Sequence, residues 1–193
     1  MTEDRDLLGR WQDGDKAAGA ELFDRHYQQV TRFFRNKIRG TPEDLVQRTF
    51  MGLIEALPSF RGEGSFRSFL YGVAYNVLRN HYRTQRRTPD IDFGVTSLAA
   101  LEPRLSGIVA ERAERRELLS ALRRIGVEHQ VLLELYYDEG LTAPEIAEAL
   151  DVPVGTVRTR LRRAKQLVRE ALEQVQQDHP LVDATLTLLP DPA

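Results

Sequence analysis

Between Val152 and Glu170 the chain places six arginines and lysines against a single acid, a local charge of +5. On a helical wheel Arg158, Thr159, Arg162, Lys165 and Arg169 fall on one half, while Val157, Leu161, Ala164 and Val168 point the other way. Guanidinium and hydroxyl groups near the start of such a helix can reach base edges in a DNA major groove, and further cations can neutralise phosphates. Thr156, Arg158, Thr159, Arg162 and Lys165 are therefore the candidate duplex-DNA contacts. A basic helical face standing alone is most often merely solvated. Here it follows a short capped helix and a tight turn, and that coincidence favours a binding role.

A second basic island spans residues 61 to 90, with six Arg or Lys against two acids, and the stretch 130 to 151 between them holds six acids and no base. The formal net charge of -2 hides this block pattern. Along the helix predicted within the first island, Gly72, Asn76, Arg79, Asn80, Arg83 and Arg87 share one flank, so amide and basic groups line one side.

Other chemistries find no support. The absence of cysteine excludes disulfides, thiolate metal sites and cysteine nucleophiles, and favours a reducing interior. His26, His81, His129 and His179 lack metal-ligand spacing, and no glycine-rich phosphate loop or paired carboxylates follow a strand. No catalytic residue, metal or other cofactor is expected, and the chain is not read as an enzyme. The N-terminus has no basic-then-apolar signal and no run approaches the roughly 20 apolar residues of a membrane helix. A cytoplasmic protein without membrane insertion is expected.

Apolar periodicity gives the elements that must position these groups. Phe23, Tyr27, Val30, Phe34 and Ile38 predict a helix over 15–39, stopped by Gly40. Thr41, Pro42 and Asp44 then start a helix to Leu57 with the stripe Val46, Phe50, Leu53 and Leu57. Ser65 caps the next helix, whose core stripe reads Phe66, Leu70, Val73 and Val77. From Thr88 to about Val109 periodicity fades among scattered prolines and glycines. Helical pattern resumes near Glu111 and stops at Gly140. Thr142 and Glu145 form a capping-box pattern, Pro144 fits a first turn, and Asp151 suits the left-handed turn before a helix begins near Val154. The expectation is an all-α protein of two small helical domains, 1–87 and 111–175, joined by a flexible linker at 88–110 and followed by a tail at 176–193.

With both halves read, the sequence resembles the extracytoplasmic-function group of sigma-70 family factors. The resemblance rests on DLVQRTF at 44 to 50 and on LPSFRGEGSFRSFLYGVAYNVLRNHYR at 57 to 83, which look like sigma region 2. It rests equally on LTAPEIAEALDVPVGTVRTRLRRAK at 141 to 165, which looks like the region 4 helix-turn-helix. The resemblance implies that Asp44, Gln47, Thr49 and Phe50 bind the beta-prime coiled coil of core RNA polymerase, and that the second domain also meets the beta flap. It implies that Asn76 and Asn80 read unpaired bases of the promoter -10 element, with Arg79, Arg83 and Tyr75, and also Phe60, supplying phosphate contacts and stacking surfaces. The -35 element would be read as duplex by the helix-turn-helix. Members of the group are commonly signal-responsive and held by an anti-sigma partner, which nothing in these residues identifies. Departures include Phe69 for a usual Trp, Arg48 for an acid, Gly72 for a basic residue, and Asp151 for Gly. The alternative reading is a stand-alone helix-turn-helix regulator that binds a palindrome without polymerase.

Overall fold

The computed structural model describes residues 2–35, 37, 38, 40–60, 64–85 and 111–178. The expected linker at 88–110, the tail after 178, and Arg86 and Arg87 lie outside these residues. Among the described residues the regular structure is helical throughout, with no strand. Eight α-helices follow in order: α1 (Thr2–Gln12), α2 (Lys16–Arg35), α3 (Glu43–Ala56), α4 (Phe66–Gln85), α5 (Glu111–Arg124), α6 (Val127–Leu133), α7 (Ala143–Leu150) and α8 (Val154–Asp178). A single 3-10 turn at Leu57–Ser59 extends α3, and a π-turn at Glu134–Asp138 extends α6.

Contacts divide these helices into two compact units, one of α1 to α4 with α7 and its following turn, the other of α5, α6, the π-turn and α8. In the first unit α2, α3 and α4 converge on a core of Leu22, Val30, Phe33, Phe34, Leu53, Leu70, Tyr71 and Leu78, each essentially without solvent exposure. The core stripe of α4 is turned relative to the sequence expectation. Phe66, Leu70, Tyr71, Ala74, Tyr75, Leu78 and Tyr82 are buried, whereas Val73 and Val77 are only half-buried. Tyrosine rings hide most of their area and still satisfy a polar tip: the Tyr82 hydroxyl donates to the Lys37 carbonyl inside the core. On α2, Tyr27 leaves its expected place in the core and stands 42% exposed.

Helix α1 has no counterpart in the sequence reading. Eleven mostly polar residues carry little periodic signal, and tertiary contacts hold the segment. Leu7 and Leu8 are buried, Trp11 meets Phe23 edge to face at 5.2 Å, and Asp4 bridges Arg25 at 2.7 Å and His26 at 2.9 Å. The start of α3 also differs from expectation, because Pro42 occupies the capping position and no side chain caps the helix. Ser65 does cap α4, its hydroxyl accepting from the Ser68 amide at 3.1 Å.

In the second unit the run expected from Glu111 to Gly140 is broken after Arg124. Gly126 opens α6 in extended conformation, and the buried Gln130 amide donates to the Ile125 carbonyl at 2.9 Å, satisfying an acceptor at the break. Along α8, Val157, Leu161, Ala164 and Val168 are buried at 0 to 3% exposure, and the apolar row continues through Ala171, Leu172 and Val175.

Candidate nucleic-acid interface

The polar flank of α4 is a continuous exposed row. Asn76, Arg79, Asn80 and Arg83 all face solvent, one helical turn after another, because the buried tyrosines and leucines occupy the opposite side. An Asn amide offers a donor and an acceptor to an unpaired base edge, and the alternating arginines suit the phosphates of the same strand. Tyr75 does not join this row. It is 7% exposed and belongs to the core, so it offers no stacking surface in this structure. Phe60 is half-buried, its ring 4.5 Å from that of Phe69, and its carbonyl accepts from the Gln12 amide at 2.9 Å.

The segment from Leu141 onward has the local geometry expected of it. Thr142 caps α7 in a full capping box: its hydroxyl accepts from the Glu145 amide, and the Glu145 carboxylate accepts from the Thr142 amide at 2.9 Å. Burial pushes the Glu145 carboxyl up, but the Thr142 hydrogen bonds, a further one from Ser65 and the nearby Arg67 charge outweigh it, so the group ends below the usual carboxylate range. Asp151 ends α7 at φ 53° and ψ 52°, the one non-glycine residue with positive φ among those described, and the Val152 amide donates back to the Ala147 carbonyl at 3.0 Å. After the three residues Asp151, Val152 and Pro153 the chain is helical again from Val154.

On α8, Arg158, Thr159 and Arg162 are exposed, and Thr156 is half-buried at the helix start. The Thr159 hydroxyl donates to the Gly155 carbonyl at 2.9 Å, which leaves its methyl group and lone pairs outward. The remaining cations of the island divide differently from the sequence expectation. Lys165 is 6% exposed and packed within the second unit, so it is not an outward phosphate contact. Arg160 pairs with Glu128 of α6, and Arg163 reaches Glu170 at 3.6 Å. Lys165 and Arg160 are thus engaged within the fold, and the exposed cations are Arg158, Arg162, Arg163 and Arg169.

A third surface lies on α2 and α3. Tyr27, Val46, Gln47, Phe50, Met51 and Ile54 line a groove of about 400 Å³. Among the described residues, the large hydrophobic side chains with high exposure are Tyr27, Met51 at 52% and Ile54 at 54%, and all three are here. Gln47 is exposed beside them and Glu43 supplies the acid of the lining, whereas Asp44, exposed and ion-paired to Arg48 at 2.9 Å, is not among the lining residues. Phe50 sits at the floor, 9% exposed, against the rings of Phe23 at 4.6 Å and Tyr27 at 6.3 Å. Thr49 contributes nothing to this surface: it is fully buried and its hydroxyl donates to the Leu45 carbonyl at 2.8 Å. Sequence reading passed over Met51 and Ile54, although their signal was present. They are apolar, three positions apart, and off the stripe that faces the core.

The Sigma-70 region 2 profile matches residues 22–88, and the Sigma-70, region 4 profile matches residues 115–168. Over 177 residues the chain is 32% identical to the ECF RNA polymerase sigma-E factor of Escherichia coli (strain K12), covering 86% of this chain and 92% of that protein. The chain belongs to the extracytoplasmic-function group of the sigma-70 family. A similar likeness holds for the RNA polymerase sigma-H factor of Pseudomonas aeruginosa, 31% identical with 89% of this chain and 94% of that protein covered. The ECF RNA polymerase sigma-E factor of Haemophilus influenzae is 29% identical, with 88% and 95% covered. Among solved structures, CnrH in complex with the cytosolic domain of CnrY matches at a TM-score of 0.65 and 25% identity, covering 89% of this chain and 98% of that one. The sigma factor RpoE of Bartonella quintana, solved with the anti-sigma factor NepR, shares the fold at a TM-score of 0.58 and 18% identity. This sigma factor therefore binds core RNA polymerase and promoter DNA and serves transcription initiation. No described helix is long and apolar enough to cross a membrane.

Proposed function

We propose that the three surfaces divide promoter recognition among themselves in the cytoplasm, the protein acting as a non-enzymatic subunit of polymerase. Asn76, Arg79, Asn80 and Arg83 on α4 capture the opened -10 strand; Thr156, Arg158, Thr159 and Arg162 on α8 read the -35 duplex. The groove lined by Gln47 and Phe50, extended to Tyr27, Met51 and Ile54, receives the beta-prime coiled coil together with Asp44 of the same helix, and the region 4 segment meets the beta flap. Residues 1–87 and 111–175 are the two modules, joined by 88–110. The observation that supports this reading most is the gathering of Tyr27, Met51 and Ile54 in one groove beside Gln47, because isolated exposed apolar side chains are ordinary whereas a rimmed apolar patch marks a docking surface. Held on one polymerase, two weak DNA contacts gain from effective concentration, so neither needs to bind tightly alone.

We further infer that the protein is signal-responsive and that an anti-sigma protein covers part of these surfaces, as the complex formed by the similar CnrH suggests. Run-off transcription with core polymerase on a genomic template library tests the central reading. Start-site-specific transcripts are expected with the native chain, and loss of them with Asn76→Ala or Gln47→Ala. No transcript from any template, or no association with core enzyme, overturns it.

A further inference from the structure

Helix α1 is fastened at both ends to the part of the first unit from which α4 starts. At one end Asp4 accepts from the Arg25 guanidinium at 2.7 Å and hydrogen-bonds His26 at 2.9 Å. The His26 ring lies 5.2 Å from that of Phe66, the first residue of α4. At the other end Trp11 lies on α2 where Gly19 leaves room for it: a Cβ at 19 would meet the indole at 2.7 Å. The turn into α2 closes tightly just beyond. Gly14 takes φ 99°, and Asp15 accepts from the Arg10 guanidinium at 2.6 Å and from the Ala17 amide at 3.0 Å. Gln12 stands between these two fixed points, so its backbone is held although its side chain is exposed.

The Gln12 amide reaches 48 residues along the chain and donates to the Phe60 carbonyl at 2.9 Å. Phe60 ends the 3-10 turn after α3 with φ -73° and ψ 114°, its own amide donating to the Leu57 carbonyl at 3.1 Å. There the chain leaves helical geometry, and a carbonyl past the helix end needs a donor from elsewhere. Gln12 supplies it. The half-buried Phe60 ring lies 4.5 Å from the Phe69 ring, tilted by 30°. Phe69 and Asn76 are seven residues apart on α4, two turns less about 20°, so the ring pair sits on the side that carries the Asn76 to Arg83 row, about 10 Å toward the helix start. A row of amides and cations that captures an opened strand also needs a flat face, because stacking on an aromatic ring is the sequence-tolerant part of single-strand binding. Tyr75, buried in the core, does not provide one.

We propose that Gln12 is a positioning residue for capture of the -10 strand: by holding the Phe60 carbonyl, it fixes the Phe60 ring beside Phe69 as the stacking platform for one unpaired base. Glutamine suits the task, since an amide donates to a carbonyl without bringing a charge, whereas a glutamate at 12 would set acceptor against acceptor. The proposal rests on the assignment of Asn76 to Arg83 to the opened strand. It adds a residue of the N-terminal helix and the ring that this residue aims.

The test uses holoenzyme reconstituted from core polymerase and the full chain. Its DNA is a heteroduplex from a promoter recovered by run-off transcription, with the -10 non-template bases unpaired and replaced one at a time by abasic residues. Gln12→Met keeps the length and removes the donor. It should weaken heteroduplex binding about 2- to 10-fold, the worth of one hydrogen bond. Phe60→Leu should weaken it about 5- to 100-fold, the worth of one stacked base. Because Gln12 acts through Phe60, Gln12→Met should cost nothing further in the Phe60→Leu background, nor on the template that is abasic at the stacked position. Trp11 is the one tryptophan of the chain, so its emission in the free protein reports whether α1 stays seated, and it should be the same for native and Gln12→Met. Unchanged binding by Gln12→Met, a loss that persists with Phe60→Leu or on every abasic template, or a shifted Trp11 emission overturns the proposal. Asn76→Ala judges the underlying assignment separately: if it weakens heteroduplex binding while Gln12→Met does not, the α4 row stands and only the role of Gln12 falls. Unchanged binding by both variants overturns both.

Discussion

Truncating cations on α8 should separate DNA contacts from fold contacts by their salt dependence. Arg158 and Arg162 are exposed one turn apart, whereas Lys165 on the same helix is 6% exposed. Each phosphate that a protein neutralises adds about 0.9 to the slope of log K against log salt. If Arg162 makes one phosphate contact, Arg162→Ala lowers that slope by about 0.9. Loss of a base contact at Arg158 costs about 1–3 kcal/mol and relaxes preference at one position of the -35 element. Lys165→Met keeps the apolar stem and removes the ammonium, so the buried position predicts a slope change near zero. The assay is promoter binding by reconstituted holoenzyme across a salt series, with selection from a randomised -35 library to read base preference. A drop of about 0.9 for Lys165→Met, equal to that of Arg162→Ala, would refute the reasoning from burial. Equal, sequence-blind losses for Arg158→Ala and Arg162→Ala would refute the recognition-helix assignment itself.

Met51→Asp and Ile54→Asp should abolish association with core polymerase while changing stability by roughly 0.5 kcal/mol or less, since both side chains are about half exposed; co-sedimentation and thermal melts read the two effects separately. Leu161→Ala should cost about 2–5 kcal/mol in the second unit, because the side chain is 3% exposed and its removal leaves a cavity, and urea titration would show an unchanged midpoint if the packing were loose. Burial holds His26 and His129 below their ordinary pKa of 6.5, against the raising influence of Asp4 and Glu128 respectively. The unfolded chain then takes up protons before the folded one, so stability is full above pH 6.5 and falls as pH drops through the folded-state values. Denaturant midpoints at pH 7.5 and 5.5 check this, and a higher midpoint at the lower pH contradicts it.

Legibility followed the physics of each signal. The Thr142–Glu145 capping box, the left-handed Asp151 and the apolar row of α8 were readable because they depend on neighbours within one turn of chain. Helix α1 was not, because its stability comes from Leu7, Leu8 and the Asp4 ion pairs with α2 and not from its own periodicity. The core face of α4 was misplaced because Val73 and Val77 look more apolar than Tyr71, Tyr75 and Tyr82, yet the tyrosines are the residues buried. In the candidate site the exposed row Asn76 to Arg83 followed from spacing alone. Thr49 and Lys165 looked equally available and Tyr75 suited a stacking surface or the core alike, and only packing removed all three from the surface.

The amino-acid string by itself determined the helical class and the two basic islands, because capping, periodicity and charge blocks are local properties, and the family through the resemblance of its motifs at 44–50, 57–83 and 141–165. Tertiary structure decided which cations remain outward, which apolar residues gather into a groove, and that α7 rests on α4. Those outcomes depend on distances between residues far apart in the chain, such as Ser68 and Glu148 or Glu128 and Arg160, and no local pattern encodes them.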